Sequence, residues 1–223
     1  MNETNNMKRL LLILLLCMYG LLSYPQTTGK QFSAYILPEF VQGKVLMKTG
    51  MSYNALLNYD ALTEEMVFTN KGNVLAIADE EVELVDTIYL AGKKFVTLNH
   101  KFVEILYNSS AILYAGYKCE LSSQGKPGAY GDTSQTSAVT TASAFYSGSN
   151  RYNLTSPDMY KTKPYTWYWL MKNGKLSRFI NIKQLANIYR NKGEKFKAYL
   201  RENNVIFDNQ EDVTRLISYM ETD

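Results

Sequence analysis

Apolar residues between positions 32 and 121 fall in short runs cut by turn-forming residues, a spacing that suits strands better than helices. The runs at 41–47, 53–59, 66–68, 74–77, 82–90, 95–98, 102–107 and 111–121 are predicted strands. Lys48-Thr49-Gly50, Asn70-Lys71-Gly72-Asn73, Ala91-Gly92-Lys93 and the acidic stretch Asp79-Glu80-Glu81 divide them. Connections this short cannot cross to a parallel neighbour, so the strands are expected to form an antiparallel meander. Phe102, Glu104 and Leu106 against Val103, Ile105 and Tyr107 divide only partly into apolar and polar faces. Such a sheet is covered on both faces over part of its area, as a strongly curled sheet, a barrel or a sandwich would be, and the pattern does not choose among these.

The pattern then changes twice. Residues 122–150 set Gly125, Gly128, Gly131 and Gly148 among Ser, Thr, Gln and Ala with no sustained apolar face, and read as a long loop in which 139–145 could form an edge strand. Strand character returns at 165–171, followed by Lys172-Asn173-Gly174-Lys175, whose Asn-Gly pair favours a type I′ hairpin, and by a returning strand at 176–180. Beyond it, Asn181 can cap a helix carrying Ile182, Leu185 and Ile188, with Gly193 as its break. Phe196, Tyr199 and Leu200 mark a second helix, and Asn209 with Asp212 signals a third carrying Val213, Leu216, Ile217 and Met220. Three short amphipathic helices must bury their stripes against the sheet. The expected fold is one α+β domain: a meander over 27–121, the loop over 122–150, an aromatic hairpin over 151–180 and helices over 181–223.

The N-terminus adds an address. Lys8-Arg9 precedes the run from Leu10 to Leu16, a charged region followed by an apolar one, and the apolar character ends at Ser23-Tyr24-Pro25. This reads as a signal peptide over 1–26, whose apolar run of about 13 to 16 residues is too short to span a bilayer, which takes roughly 20. No membrane span is expected after its removal, and the protein is expected in the periplasm, at the envelope or outside the cell. Cys17 follows Leu16, where lipidation requires a small residue, and lies within the apolar run. It is read as part of the removed peptide, which leaves Cys119 without an internal disulfide partner. The formal charge of +3 drops by one when Glu3, Lys8 and Arg9 leave, and the dispersed lysines give no basic stripe for nucleic acid. Tyrosine is abundant at 18 residues and points first to β structure.

Gly43-Lys44-Val45-Leu46-Met47-Lys48-Thr49-Gly50, followed by Leu57-Asn58-Tyr59-Asp60 and Met66-Val67-Phe68, resembles a group of uncharacterised exported proteins from Bacteroidota. Tyr199-Leu200-Arg201-Glu202-Asn203-Asn204, Phe207, Glu211-Asp212 and Leu216-Ile217 are similar to their helical ending. The resemblance implies a bacterial envelope address and carries over no activity and no catalytic residue.

Candidate chemistry is sparse. His100 is the single histidine, in the predicted turn Leu98-Asn99-His100-Lys101, which argues against a catalytic triad or a zinc site, and neither metal nor cofactor is expected. Cys119 is expected as a core-facing strand thiol. Glu64-Glu65 and Asp79-Glu80-Glu81 with Glu83 read as solvated turns rather than as a glycosidase pair, and Asp60 is placed to tie down a turn through backbone amides. The glycines of 125–131 lack the ending of a phosphate loop.

The aromatic segment supports the one positive hypothesis. Alternation puts Tyr165, Trp167 and Trp169 on one face and Tyr168 on the other, with Tyr152 and Tyr160 nearby in sequence. Exposed, the row could bind a ligand by stacking on sugar rings or on a partner protein. Buried, it is the core strand against which the helices pack, and two indoles so close together favour burial. The expected function is a non-enzymatic binding or interaction module of a bacterial envelope, with a glycan or an envelope protein as partner. The competing class is a hydrolase acting on envelope or polysaccharide material.

Overall fold

The segments of period near two form strands. A computed structural model describes residues 34–123, 126–127, 133–134 and 160–222, with side chains placed over 34–120 and 162–222. Its strands are β1 (Val41–Met47), β2 (Ser52–Asp60), β3 (Glu65–Asn70), β4 (Asn73–Ala76), β5 (Val85–Leu90), β6 (Lys93–Leu98), β7 (Lys101–Asn108), β8 (Ala111–Ser123), β9 (Lys126–Pro127), β10 (Thr133–Ser134), β11 (Tyr160–Lys172) and β12 (Lys175–Phe179). The short β9 and β10 pair only with each other, and the other ten make one antiparallel sheet in the order β12-β11-β8-β7-β6-β5-β1-β2-β3-β4. The expected signal peptide, the candidate edge strand at 139–145, the glycine run at 128–131 and Tyr152 lie outside the described residues.

The connectivity departs from a plain meander at one point. β5 pairs with β1 rather than with β4, because the acidic stretch is not a turn but a single helical turn, α1 (Asp79–Val82), that carries the chain back past three strands. Asp79, Glu80 and Glu81 occupy the end of the helix where its dipole favours negative charge, and the Ala78 carbonyl accepts from the amides of Glu81 (2.8 Å) and Val82 (3.1 Å). Elsewhere the hairpins are tight. Lys71-Gly72, Ala91-Gly92, Asn99-His100 and Asn173-Gly174 each have positive φ at both positions, the geometry of type I′ turns, whose twist matches the flanking strands.

The sheet is open, with β4 and β12 as unjoined edges, but it is strongly curled. β2 and β8 are separated by four intervening strands, so on a flat sheet they would stand roughly 24 Å apart at about 4.8 Å per strand. The rings of Tyr59 on β2 and Tyr117 on β8 are instead 5.9 Å apart, and the Tyr59 hydroxyl donates to the Tyr117 carbonyl at 3.5 Å. The roll encloses one apolar cluster built from Leu57, Tyr59, Met66, Ile88, Leu90, Phe95 and Phe102, with Cys119 at its margin.

The same inner face continues beyond the roll, where Leu113 and Ala115 on β8, Tyr168 and Leu170 on β11 and Phe179 on β12 form a second cluster under the helices. These are α2 (Ile182–Ile188), α3 (Gly193–Glu202) and α4 (Gln210–Glu221). Asn181 caps α2 by accepting from the Gln184 amide at 2.9 Å, and a 3₁₀ turn at Arg190–Lys192 leads into α3, which Gly193 opens rather than breaks. Helix α4 buries Val213, Leu216, Ile217 and Met220, one stripe at helical spacing. Its end is pinned by Glu221, which accepts from the Tyr189 hydroxyl at 2.6 Å, the Ser110 hydroxyl at 3.3 Å and the Lys172 ammonium. Burial pushes the Glu221 carboxyl up, but the Lys172 and Tyr189 hydrogen bonds outweigh it and hold it below the usual carboxylate range.

Residues 34–40 lie along the last residues of β2. The Ala34 carbonyl accepts from Ala61 at 2.8 Å and the Ile36 amide donates to Tyr59 at 3.0 Å. Asn58 locks this segment down: its side-chain oxygen accepts from the amides of Leu37 (3.2 Å) and Tyr59 (2.8 Å), and its NH2 donates to the carbonyls of Leu37 and Glu39 (both 3.0 Å). No helix among the described residues is long and apolar enough to cross a membrane.

Candidate binding face

Alternation along β11 decides which aromatic residues reach the surface. Tyr168 and Leu170 point inward and are fully buried. The Tyr168 ring stacks on Phe179 (5.3 Å) and meets the edge of Phe207 (5.3 Å). Tyr165, Trp167 and Trp169 point the other way and are half-buried on the convex outer face. This corrects the expectation that the indoles form the core strand under the helices. The helices take the opposite face, where Leu113, Ala115 and Phe179 flank β11 with apolar side chains. The indole face is flanked by Lys118 and Arg178, which belong in water.

On the outer face the three rings form a file, with Tyr165 6.1 Å from Trp167 and Trp167 6.4 Å from Trp169. Lys118 and Arg178, from the strands on either side, lie over the Trp167 ring at 4.1 and 4.3 Å. Trp169 leans across β8 at Gly116, where a Cβ would stand 2.6 Å from its ring. Gly116 thus lets the six-membered ring of the indole come down against the β8 backbone. Beside it on β8, partial burial raises the pKa of the Tyr114 hydroxyl, and the Tyr165 hydroxyl is raised by burial and by Glu120. Lys118 is neutralised by Glu64 from the β2–β3 turn at 2.7 Å.

A second polar group, not anticipated from the sequence, lies on the inner face at the seam between the two apolar clusters. Glu104 is 6% exposed. It accepts from Lys93 at 2.9 and 3.1 Å and from the Tyr117 hydroxyl, which also meets Gln210 on α4 at 3.2 Å. Burial, and then the Glu104 carboxylate, push the Tyr117 hydroxyl well above the ordinary tyrosine range. The signal was present as an acidic residue in phase with Phe102 and Leu106. The group ties β6, β7 and β8 to α4 and satisfies a charge that would otherwise be buried without a partner. The partners of Glu104 are an ammonium and a phenol, whereas glycoside hydrolysis uses two carboxyl groups on either side of the bond.

The remaining candidates sit where their chemistry is unremarkable. His100 is 82% exposed and meets Glu83 at 2.8 Å. Cys119 is buried, which pushes its thiol up and disfavours the reactive thiolate. Asp60 accepts from the Leu62 amide at 2.9 Å, the turn role expected of it. Among the described residues no three His, Cys, Asp or Glu side chains converge as a metal site would require. Comparison with protein-family models, curated proteins and solved structures found no match.

Proposed function

We propose that this chain is an exported binding module of a bacterial envelope that recognises glycans through the outer face of β8, β11 and β12. The observation that carries this reading is the file of Tyr165, Trp167 and Trp169, half-buried on a face over which no described element packs. Tyr165 and Trp169, held against the sheet, offer ring faces to the C–H faces of a sugar at little cost in side-chain entropy, whereas Trp167 carries Lys118 and Arg178 over its ring and braces the file. Gly116 and the cations over Trp167 hold the rings in place before a ligand arrives. Export rests on Lys8-Arg9 and the apolar run that follows, and the Bacteroidota envelope address rests on the resemblance of the 43–50 and 57–60 segments. Affinity electrophoresis of the exported protein through gels containing dissolved polysaccharides tests the reading. Retardation that is lost in W167A/W169A is the expected result; migration that no polysaccharide alters would overturn it.

A further inference from the structure

The strand register extends the indole face into a longer feature. Tyr114 stands opposite Trp169, and Trp169 opposite Arg178. In the other direction Tyr114 stands opposite Ile105, which the β6–β7 register places opposite Lys94. Lys94 is opposite Tyr89, and Tyr89 opposite Lys44. Each of these residues has the parity opposite to a buried inner-face neighbour, so all share the convex face. Tyr89 is 45% exposed, and Lys44, Lys94 and Arg178 are exposed. The result is one cross-strand row of cations and rings that follows the curl of the sheet through β1, β5, β6, β7, β8, β11 and β12, roughly 29 Å measured around the convex surface at about 4.8 Å per strand.

The charge on this row is one-sided. Lys44, Lys94 and Arg178 form no ion pair among the described residues, in contrast to Lys93, Lys118 and Lys172 on the same sheet. The adjacent outward row of Leu46, Thr87, Val96, Val103, Gly116 and Trp167 has no carboxylate of its own; the nearest, Asp86 at the β1–β5 register shift, accepts from the Thr87 hydroxyl at 2.9 Å. Like charges spaced along a strip of aromatic surface favour a long anionic ligand that also has stackable faces.

We infer that the ligand is an acidic glycan, a polymer of uronic acid or sulfated sugar units, lying across the strands along this row. The inference rests on the glycan reading above and specifies its substrate class. The interstrand step is close to the length of one sugar ring, so successive units can meet successive side chains, with carboxylates or sulfates at Lys44, Lys94 and Arg178 and ring faces at Tyr89, Tyr114 and Trp169. A membrane surface fits less well. Insertion requires protruding apolar side chains, and the most exposed of these, Met51 and Leu84 at 56% each, lie beside the β1–β2 turn rather than on the row.

Calorimetric titration of the exported protein with alginate, with uncharged dextran and with vesicles containing phosphatidylglycerol tests this. Alginate should bind about ten-fold more tightly than dextran at low salt, and K44Q/K94Q, which removes two of the three cations, should remove most of that factor for alginate alone. W169A should weaken both polymers. Equal affinity for alginate and dextran, or alginate binding indifferent to K44Q/K94Q, overturns the acidic class and leaves the glycan reading standing. Binding of the vesicles without binding of either polymer overturns both, as does the absence of any binding.

Discussion

Asn58 uses all four of its hydrogen-bonding positions on backbone groups while fully buried. N58A would leave those groups without partners beneath the 34–40 segment, and should destabilise the fold by about 3 kcal/mol. A urea melt checks this, and a midpoint within error of wild type would show that water replaces the amide. The tyrosines make a second residue-scale statement. Tyr59, Tyr168 and Tyr189 are fully buried, and burial first, with nearby carboxylates second, raises each hydroxyl far above its ordinary value. A raised folded pKa means that the folded chain keeps protons which the unfolded chain releases above pH about 10. Stability is therefore fully present below that pH and falls above it, by up to about 1.4 kcal/mol per pH unit for each such tyrosine. Tyrosinate absorbance should rise first for exposed rings and again, abruptly, with unfolding; a single smooth titration of all rings would contradict the burial.

At the scale of elements, the β8–β11 pair depends on the absence of one side chain. G116A would place a methyl group against the Trp169 ring, and either the ring lifts or the strands part. The expected outcome is a loss of about 1 kcal/mol, at the low end of overpacking costs because the ring can move, together with a red shift of tryptophan emission. Unchanged emission would mean that the indole does not rest on Gly116. Much at this scale was readable in the sequence. Period-two runs located the strands, Asn173-Gly174 gave its hairpin, and Asn181 and Asn209 marked helix starts where their side chains do cap. What escaped was set by distant partners. Helix α1 is a single turn, too short for periodicity to register, and its local acidity reads equally well as a solvated loop. The pairing of β5 with β1 depends on the curl of the sheet, which no local pattern encodes. Both faces of β11 are aromatic, so alternation separated Trp167 and Trp169 from Tyr168 but could not say which set the helices cover. That choice lies in the neighbours, Leu113 and Ala115 on one face against Lys118 and Arg178 on the other. The Lys93–Glu104–Tyr117 group was likewise hidden because Lys93 and Tyr117 meet Glu104 only through strand register.

For the whole molecule, the account is of a sheet whose concave face is filled twice, by its own curl and by three helices, and whose convex face at β8, β11 and β12 no described element covers. Both tryptophans of the chain lie on that convex face, side by side on β11. Their fluorescence therefore reports on the proposed binding surface and on nothing else in the protein. Acrylamide quenching, with and without saturating alginate, tests the central claim most directly. The indoles should be open to the quencher in the free protein, and the quenching slope should fall when the polymer is bound. An unchanged slope at saturation would place the ligand somewhere other than the Trp167–Trp169 face.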